Sequence, residues 1–364
     1  MPGKKTGGPY PLLYIDIEKL KANLETVGAM VKGAGCSLAV VTKSFCADER
    51  IVRMLAASPL VDYLADSRLL NLERCGGRGK ETMLLRLPQA AEIEGVISCA
   101  DISLNSELDT LGLLNAEAGR RRKMHKVILM IDLGDLREGI YFTEEETILK
   151  TAEAVVEMPN LILQGIGANL TCYGAVIPKK DNLSVLASWG ERIRKRFGID
   201  LPVVSGGNSS SLYLIGRGEL PAGINNLRLG EAFIVGREAA YKTRIPRTYD
   251  DGVILEAQII EIQTKPSLPL GERGVDAFEG RPVFTDRGRI RRAICAVGRQ
   301  DLEPGGITPV EGGLEILGAS SDHLIVDIND SEKDYRPGDT IRFVPNYAAL
   351  LRLFTSPYIN RVYG

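Results

Sequence analysis

The chain is poor in histidine, with two in 364 residues, and its six cysteines stand apart without one Cys-x-x-Cys pair. Zinc and iron–sulfur centres need closely spaced soft ligands, so no metal is expected, and scattered thiols suit a reducing compartment better than a disulfide frame. No apolar run approaches the roughly 20 residues of a membrane span. Neither sign of charge is in excess: 45 Lys and Arg against 47 Asp and Glu leave a formal net charge of −2, which offers no pull toward nucleic acid or an anionic membrane. The opening residues, Met1-Pro2-Gly3-Lys4-Lys5-Thr6-Gly7-Gly8, hold no apolar stretch of the kind an export signal carries, so a cytoplasmic location is expected.

What is present is alternation. Leu38–Val41 reads as a short buried strand that ends in Thr42-Lys43, and Glu49–Ala57 reads as a helix. Strand and helix patterns then take turns through residues 61–229, with Lys126–Asp132 the plainest strand and Asn105-Ser106-Glu107 the expected cap of the helix after it. Eight strands with intervening helices over roughly residues 36–240 close naturally into a (β/α)₈ TIM-type barrel. Near Arg244-Ile245-Pro246 the texture changes to short alternating stretches, among them Val253–Ile262, Leu314–Leu317 and His323–Ile328, separated by Gly, Pro and Asp. That is an all-β pattern. The expected organisation is a barrel over residues 11–243 and a C-terminal β-domain over 244–364, joined by an N-terminal strand near 12–17.

Barrel enzymes carry their chemistry at the carboxyl ends of the strands. Strand one brings Lys43, whose amine becomes a nucleophile toward a carbonyl if it is held dry; a surface lysine just past a strand is the ordinary alternative. Strand five brings Asp132-Leu133-Gly134-Asp135-Leu136-Arg137-Glu138-Gly139, and strand six brings Asn169, Cys172 and Tyr173. Ser205-Gly206-Gly207-Asn208-Ser209 and Arg228-Leu229-Gly230-Glu231 follow strands seven and eight, where barrels usually bind phosphate.

Together with Val41-Thr42-Lys43-Ser44-Phe45-Cys46, Asn169-Leu170-Thr171-Cys172-Tyr173-Gly174 and Leu317-Gly318-Ala319-Ser320-Ser321-Asp322-His323, these motifs resemble the alanine racemase family almost end to end. These are barrel-type pyridoxal phosphate enzymes, and the ornithine racemase-like branch matches best. The resemblance implies that Lys43 carries the cofactor as a Schiff base and acts as one catalytic base. It puts Ser209, Gly230 and Tyr347 at the phosphate, Arg228 at the pyridine nitrogen, Asn169 where a histidine meets the ring, and Arg137 near the substrate carboxylate. The segment holding Ser321, Asp322 and His323 would line the substrate from the partner subunit of a homodimer with shared active sites. Three departures stand out. Met130 replaces a carbamylated lysine and leaves Arg137 without that partner; Ala47 replaces a phosphate-contacting tyrosine; and Gly298-Arg299-Gln300-Asp301 replaces the segment with the second base, a tyrosine.

The expected activity is racemisation of a free amino acid, a basic one such as ornithine or lysine or a broad set. An amino acid decarboxylase on the same architecture and a non-catalytic pyridoxal phosphate-binding homeostasis protein are the competing readings. His323, on the strand expected from residue 323, and Asp322 are the expected opposite-face acid/base, since imidazole titrates near neutrality. Tyr173 and Cys172 compete with them. Asp276, Asp301 and Asp322 are the candidate acceptors for a distal ammonium.

Overall fold

The computed structural model describes residues 9–364, so the stretch read for an export signal lies outside the described residues. The chain forms two compact units. One spans Lys19–Tyr249; the other is built from the two ends of the chain, through Glu18 and from Asp250 to Gly364.

After strand β1 (Leu12–Ile15) and helix α1 (Ile17–Gly33), the first unit alternates strands and helices. Its strands are β2 (Ser37–Val41), β3 (Tyr63–Asp66), β4 (Glu81–Leu84), β5 (Ile102–Asn105), β6 (His125–Asp132), the two-residue β7 (Ile140–Tyr141), β8 (Leu161–Gly167), β9 (Val203–Ser205) and β10 (Asn226–Leu229). Its helices are α2 (Glu49–Ala57), α3 (Leu69–Cys75), α4 (Ile93–Cys99), α5 (Leu108–Arg120), α6 (Glu145–Glu157), α7 (Lys180–Phe197), α8 (Leu212–Arg217) and α9 (Glu231–Val235). Apart from β7, which adds to the edge of β6, the strands pair in parallel in the order β5-β4-β3-β2-β10-β9-β8-β6, and β5 closes on β6. This is the expected eight-stranded barrel.

The strands alternate between two buried faces, which is why they read as continuous apolar runs rather than as amphipathic ones. Ala39, Val41, Ala65, Met83, Ile102, Leu104, Ile128, Met130 and Val203 pack together inside the barrel. Val127, Leu129, Ile131 and Ile166 face the other way, into a layer with Val96, Leu111, Ile148, Leu186 and Ile193 of the helices. Each such aliphatic side chain contributes about 2 kcal/mol by leaving water.

Two local expectations need correction. Helix α5 starts at Glu107 without a side-chain cap. Asn105 turns away from it, donating to the backbone carbonyl of Ser103 at 3.0 Å and to its hydroxyl at 2.9 Å. The barrel unit also continues past Arg244-Ile245-Pro246, because Ile245 N–H and the Thr248 hydroxyl both donate to Gly236 O at 2.9 Å.

In the second unit, β11 (Val253–Pro266), β12 (Arg289–Cys295), β13 (Ile307–Pro309), β14 (Glu315–Ala319), β15 (Leu324–Asp327) and β16 (Thr340–Pro345) pair antiparallel in the order β13-β16-β11-β12-β15-β14. Strand β1 joins antiparallel to β11 and parallel to β17 (Asn360–Tyr363). Helix α10 (Tyr347–Leu353) was not legible as a separate element; Asn346 caps it by accepting from Ala349 N–H at 3.0 Å. Among the described residues no helix is long and apolar enough to cross a membrane.

His125 opens β6, buried, with Nε2 2.7 Å from Ser103 Oγ. Burial pushes its pKa from 6.5 down to about 4. The unfolded chain therefore binds a proton that the folded one refuses. The stability this group contributes is complete above pH 6.5 and is lost as pH falls toward 4, in total about 3 kcal/mol. Urea unfolding followed by Trp189, the single tryptophan, should show wild type losing more stability between pH 7 and pH 4.5 than His125→Gln. Equal losses would place the acid sensitivity in other groups.

Candidate active site

Lys43 is rooted at the end of β2. Thr42 N–H continues the ladder to Ala65 O at 2.8 Å, and its hydroxyl donates to the buried Asp66 carboxylate at 2.5 Å. The chain then makes one tight turn, Lys43–Phe45, and passes through two consecutive non-glycine residues with positive φ, Cys46 at 51° and Ala47 at 47°. Such residues cost about 1–2 kcal/mol each and persist only where the surroundings impose them. Here Ala47 N–H bonds back to Thr42 O at 3.2 Å, Arg74 donates to Cys46 O at 3.0 Å, and Asp48 caps α2 by accepting from Arg50 N–H at 3.1 Å. The backbone under Lys43 is thus fixed from both sides. Its amine makes no hydrogen bond or ion pair with the described residues, and burial holds its pKa below the usual lysine value. Cys172, Asp66 and Glu138 oppose that shift, and the Arg137 charge reinforces it.

The motif after β6 is a loop tied to its own strand. Asp132 Oδ1 accepts from Gly134 N–H at 2.9 Å and Leu136 N–H at 3.2 Å. Gly139 returns against the strand with φ 121°, so close that a Cβ would lie 2.6 Å from Asp132 N. Asp135 then fastens this loop to the one after β8: its carboxylate accepts from Cys172 N–H at 3.1 Å, Tyr173 N–H at 2.9 Å and Val176 N–H at 3.0 Å. With three amides from the second loop on one buried carboxylate, Asp135 is a clamp between the two loops.

On this clamp sits a continuous polar chain. Arg137 grips Glu138 through two parallel bonds, Nε to Oε2 and Nη2 to Oε1, the latter at 2.5 Å. Asn169 Nδ2 donates to the same Glu138 Oε1. At its other end Asn169 Oδ1 accepts from Arg228 Nη2 at 2.6 Å. Arg228 is buried inside the barrel and also donates to Ala168 O at 2.7 Å and to Ser205 Oγ. Burial lowers its pKa to about 10, partly offset by Glu138, so it remains a cation at neutral pH. Glu138 keeps its pKa below the usual carboxylate value: burial works against ionisation, and Arg137 more than offsets it. With Met130 in place of the carbamylated lysine, the anionic partner of Arg137 is its neighbour Glu138. Sequence reading passed over Glu138, although an acid next to an arginine inside a glycine-bounded turn was a usable sign.

The loops after β9 and β10 meet through Ser209. Its hydroxyl accepts from Gly230 N–H at 3.3 Å and from Ala232 N–H at 3.1 Å, the amides that open α9. A side chain at Gly230 would be crowded, since a Cβ would lie 3.2 Å from Val41 Cβ. Convergent amides and a hydroxyl at this end of a barrel are a phosphate-type donor set.

Lys43, Arg137, Asn169, Ser209, Arg228 and Gly230 thus all gather at the carboxyl ends of the barrel strands. The remaining candidates belong to the β-unit. Tyr347 is the first residue of α10. Ser321, Asp322 and His323 lie in the turn between the paired residues Ala319 and Leu324, closed by Ser320 N–H to His323 O at 2.9 Å. His323 is consequently not on a strand, and strand alternation does not govern where it points. Asp322 accepts from Gln300 Nε2 at 2.9 Å and from Ser321 Oγ at 2.8 Å instead of pairing with the His323 ring. Of the other two acids, Asp301 is buried against the Ser356 hydroxyl at 2.5 Å. Asp276 closes a local turn by accepting from Phe278 N–H and Gly280 N–H, each at 2.8 Å.

A closed barrel whose strand ends present an unpartnered lysine, a buried arginine and a phosphate-type cup defines an enzyme class built for a phosphorylated carbonyl cofactor. The comparisons carry this further. Residues 15–237 match the family model described as alanine racemase, N-terminal domain. The chain is 51% identical over 352 residues to ornithine racemase of Acetoanaerobium sticklandii, covering 97% of this chain and 99% of that one. Lysine racemase of Thermotoga maritima is 37% identical over 356 residues, covering 97% and 98%. Among solved structures, alanine racemase of Clostridium difficile superposes with a TM-score of 0.73 at 18% identity, covering 99% of this chain and 97% of that one, a likeness of fold. The chain belongs to the alanine racemase family.

The loop clamp predicts a stability effect. Gly139→Ala puts a Cβ against Asp132 N in a backbone conformation that alanine resists, so it should destabilise the barrel by about 1–3 kcal/mol. Asp135→Asn, which keeps the shape and removes the charge, should cost less in thermal or urea unfolding. A neutral Gly139→Ala variant would show that the loop is free to relax.

Proposed function

We propose that this protein is a pyridoxal phosphate-dependent racemase of a basic amino acid, ornithine or lysine, the substrates named by its two curated relatives. The observation that carries the reading is the Lys43 amine: rooted in a rigid turn, desolvated, and without a partner among the described residues. Burial that lowers the pKa of a lysine makes its amine more available as a nucleophile and proton carrier.

The residues present fit the cofactor. Lys43 would hold its carbonyl carbon, Ser209 and the amides of Gly230 and Ala232 its phosphate, and Arg228 and Asn169 its ring; we assign Tyr347 to the phosphate as well. When bound, pyridoxal phosphate supplies the electron sink that acidifies the hydrogen on a substrate's α-carbon. Lys43 takes or returns that proton on one face. Arg228, a buried cation that donates to three oxygens and has N–H donors to spare, disfavours a proton on whatever ring atom it faces. Arg137 offers a planar fork to the substrate carboxylate. For the opposite face we assign His323 as the titrating group, with Asp322 as its alternative and Ser321 as a substrate contact. The enzyme works as a cytoplasmic homodimer, the Ser321–His323 turn of one protomer serving its partner's site. Decarboxylase activity and cofactor binding without turnover are the readings that the experiments reject if racemisation is seen.

Chiral analysis after incubation of the cofactor-loaded protein with L-ornithine and L-lysine should show the D-enantiomers forming. Lys43→Ala should lower turnover by about 10³-fold or more and lose the visible absorbance of lysine-bound cofactor. An adduct trapped by borohydride on another lysine would remove Lys43 from its role.

Single-turnover exchange in D₂O locates the second group. If His323→Asn or Asp322→Asn stops α-proton exchange from one enantiomer only, the turn supplies the opposite-face acid/base. Symmetric exchange near the wild-type rate in both variants would move the role to Cys172, whose thiol already acts on the Lys43 charge, or to Tyr173.

A further inference from the structure

We infer that Glu138 is a positioning residue that holds Arg137 by one edge so that its other edge is presented to a carboxylate, and that joins this arginine to Arg228 through Asn169. The inference rests on the reading of Arg137 as the carboxylate-binding group.

A guanidinium is a rigid fork of five N–H donors, and a carboxylate takes two at a time. Glu138 occupies the side edge, Nε and Nη2, of Arg137. The Nη1 edge makes no hydrogen bond with the described residues. Exposure agrees with that division: the Arg137 side chain is 42% exposed while the Glu138 side chain is 13% exposed. An ordinary surface ion pair between neighbours leaves both partners wet and swinging; here a shielded anion fixes an accessible cation.

The second link is one of chemical direction. An asparagine amide can usually flip, but Asn169 cannot without loss. Only its NH₂ can face the Glu138 carboxylate, and only its carbonyl can accept from Arg228. Glu138 thereby dictates which atom Asn169 shows to Arg228. Among the described residues Arg228 has no carboxylate within ion-pair distance, so its bonds run to Ser205, Ala168 and Asn169. The anion that supports it is Glu138, one residue removed. Neutralising Glu138 would leave Lys43, Arg137 and Arg228 as three neighbouring bases with one less charge to oppose them.

The test compares Glu138→Gln and Glu138→Asp with wild type as cofactor-loaded proteins, using propionate as a bare carboxylate probe and the visible absorbance of the cofactor on Lys43 as readout. Glu138→Gln should weaken propionate binding about tenfold or more and move the pH midpoint of the absorbance change downward, because an anion near the Lys43 nitrogen is gone. Glu138→Asp keeps the charge but is a methylene too short to span Arg137 and Asn169. It should bind propionate as weakly as the glutamine variant while its pH midpoint returns to that of wild type. Wild-type propionate affinity in either variant overturns the positioning role. An unchanged midpoint in Glu138→Gln overturns the coupling to the cation cluster. If Glu138→Gln does not fold, Glu138→Asp alone decides: weakened propionate binding supports the inference and unchanged binding overturns it. None of these readouts requires turnover, so absence of D-ornithine and D-lysine from the wild-type assay would refute the racemase reading separately.

Discussion

Burying the Arg228 guanidinium is the constraint around which the carboxyl end of the barrel is arranged. A cation taken out of water costs several kcal/mol unless each of its donors finds an acceptor. The barrel supplies a hydroxyl from β9, a backbone carbonyl after β8 and an amide oxygen from Asn169. No carboxylate is placed directly against it. That choice has an electrostatic consequence. A directly paired arginine would be largely neutralised, whereas one held by neutral oxygens keeps most of its field for whatever lies at the strand ends. The supporting anion, Glu138, is placed one residue further out and is shared with Arg137. Lys43 is held below the usual lysine pKa chiefly by burial, with the Arg137 charge reinforcing the shift and Cys172, Asp66 and Glu138 opposing it.

Such an arrangement only works on backbone that does not relax, and the loops show how that rigidity is obtained. Asp132 ties its own loop, Asp135 ties two loops together, and Gly139 lets the first loop lie directly on β6. The strained pair Cys46–Ala47 does the same for Lys43, with Thr42, Arg74 and Asp48 holding it from three sides. Acidic residues in these motifs are thus divided between two tasks. Asp132 and Asp135 spend their lone pairs on backbone amides, and Glu138 alone is turned toward side-chain cations. Composition could not separate them, since all three sit within seven residues of one another in the chain.

How much of this was legible depended on the range of the interaction. The barrel strands were readable because burial on both faces makes apolar runs, and the strand ends pointed to Lys43, Ser209, Arg228 and Gly230 before any coordinates. The Arg137–Glu138–Asn169–Arg228 chain was not readable, because it joins residues 31 and 59 positions apart whose meeting depends on barrel closure. Local propensity failed in smaller ways. Asn105 read as a helix cap, yet the Ser103 carbonyl and hydroxyl offered its amide nearer partners. His323 read as the start of a strand, yet Ser320–His323 is the turn that lets β14 and β15 pair. Helix α10 went unread because Tyr347–Leu353 is short and follows directly on β16.

The charge distribution also divides the work of recognition. An amino acid presents one carboxylate and one α-ammonium whatever its side chain, and the roles proposed above give the first to Arg137 and the second to exchange at Lys43. A basic substrate adds a second ammonium. The barrel end is a poor place for it, because Arg137 and Arg228 are cationic there and the one carboxylate among them, Glu138, is already shared between Arg137 and Asn169. Asp66 is buried and bonded to Thr42 and Asn71, and Asp135 is buried and held by three amides, so both are committed mainly to the protein. On the proposed reading, an acceptor outside this polar chain is the better partner for that second ammonium. Of the three acids considered at the outset, Asp301 is buried, whereas Asp276 and Asp322 are exposed, Asp276 using one carboxylate oxygen to close its own turn. Asp322 is an exposed carboxylate in the hairpin turn, one oxygen accepting from Gln300 Nε2 and the other from Ser321 Oγ. If that charge receives the distal ammonium, Asp322 is unavailable as the opposite-face base, and the proton on that side falls to its neighbour His323.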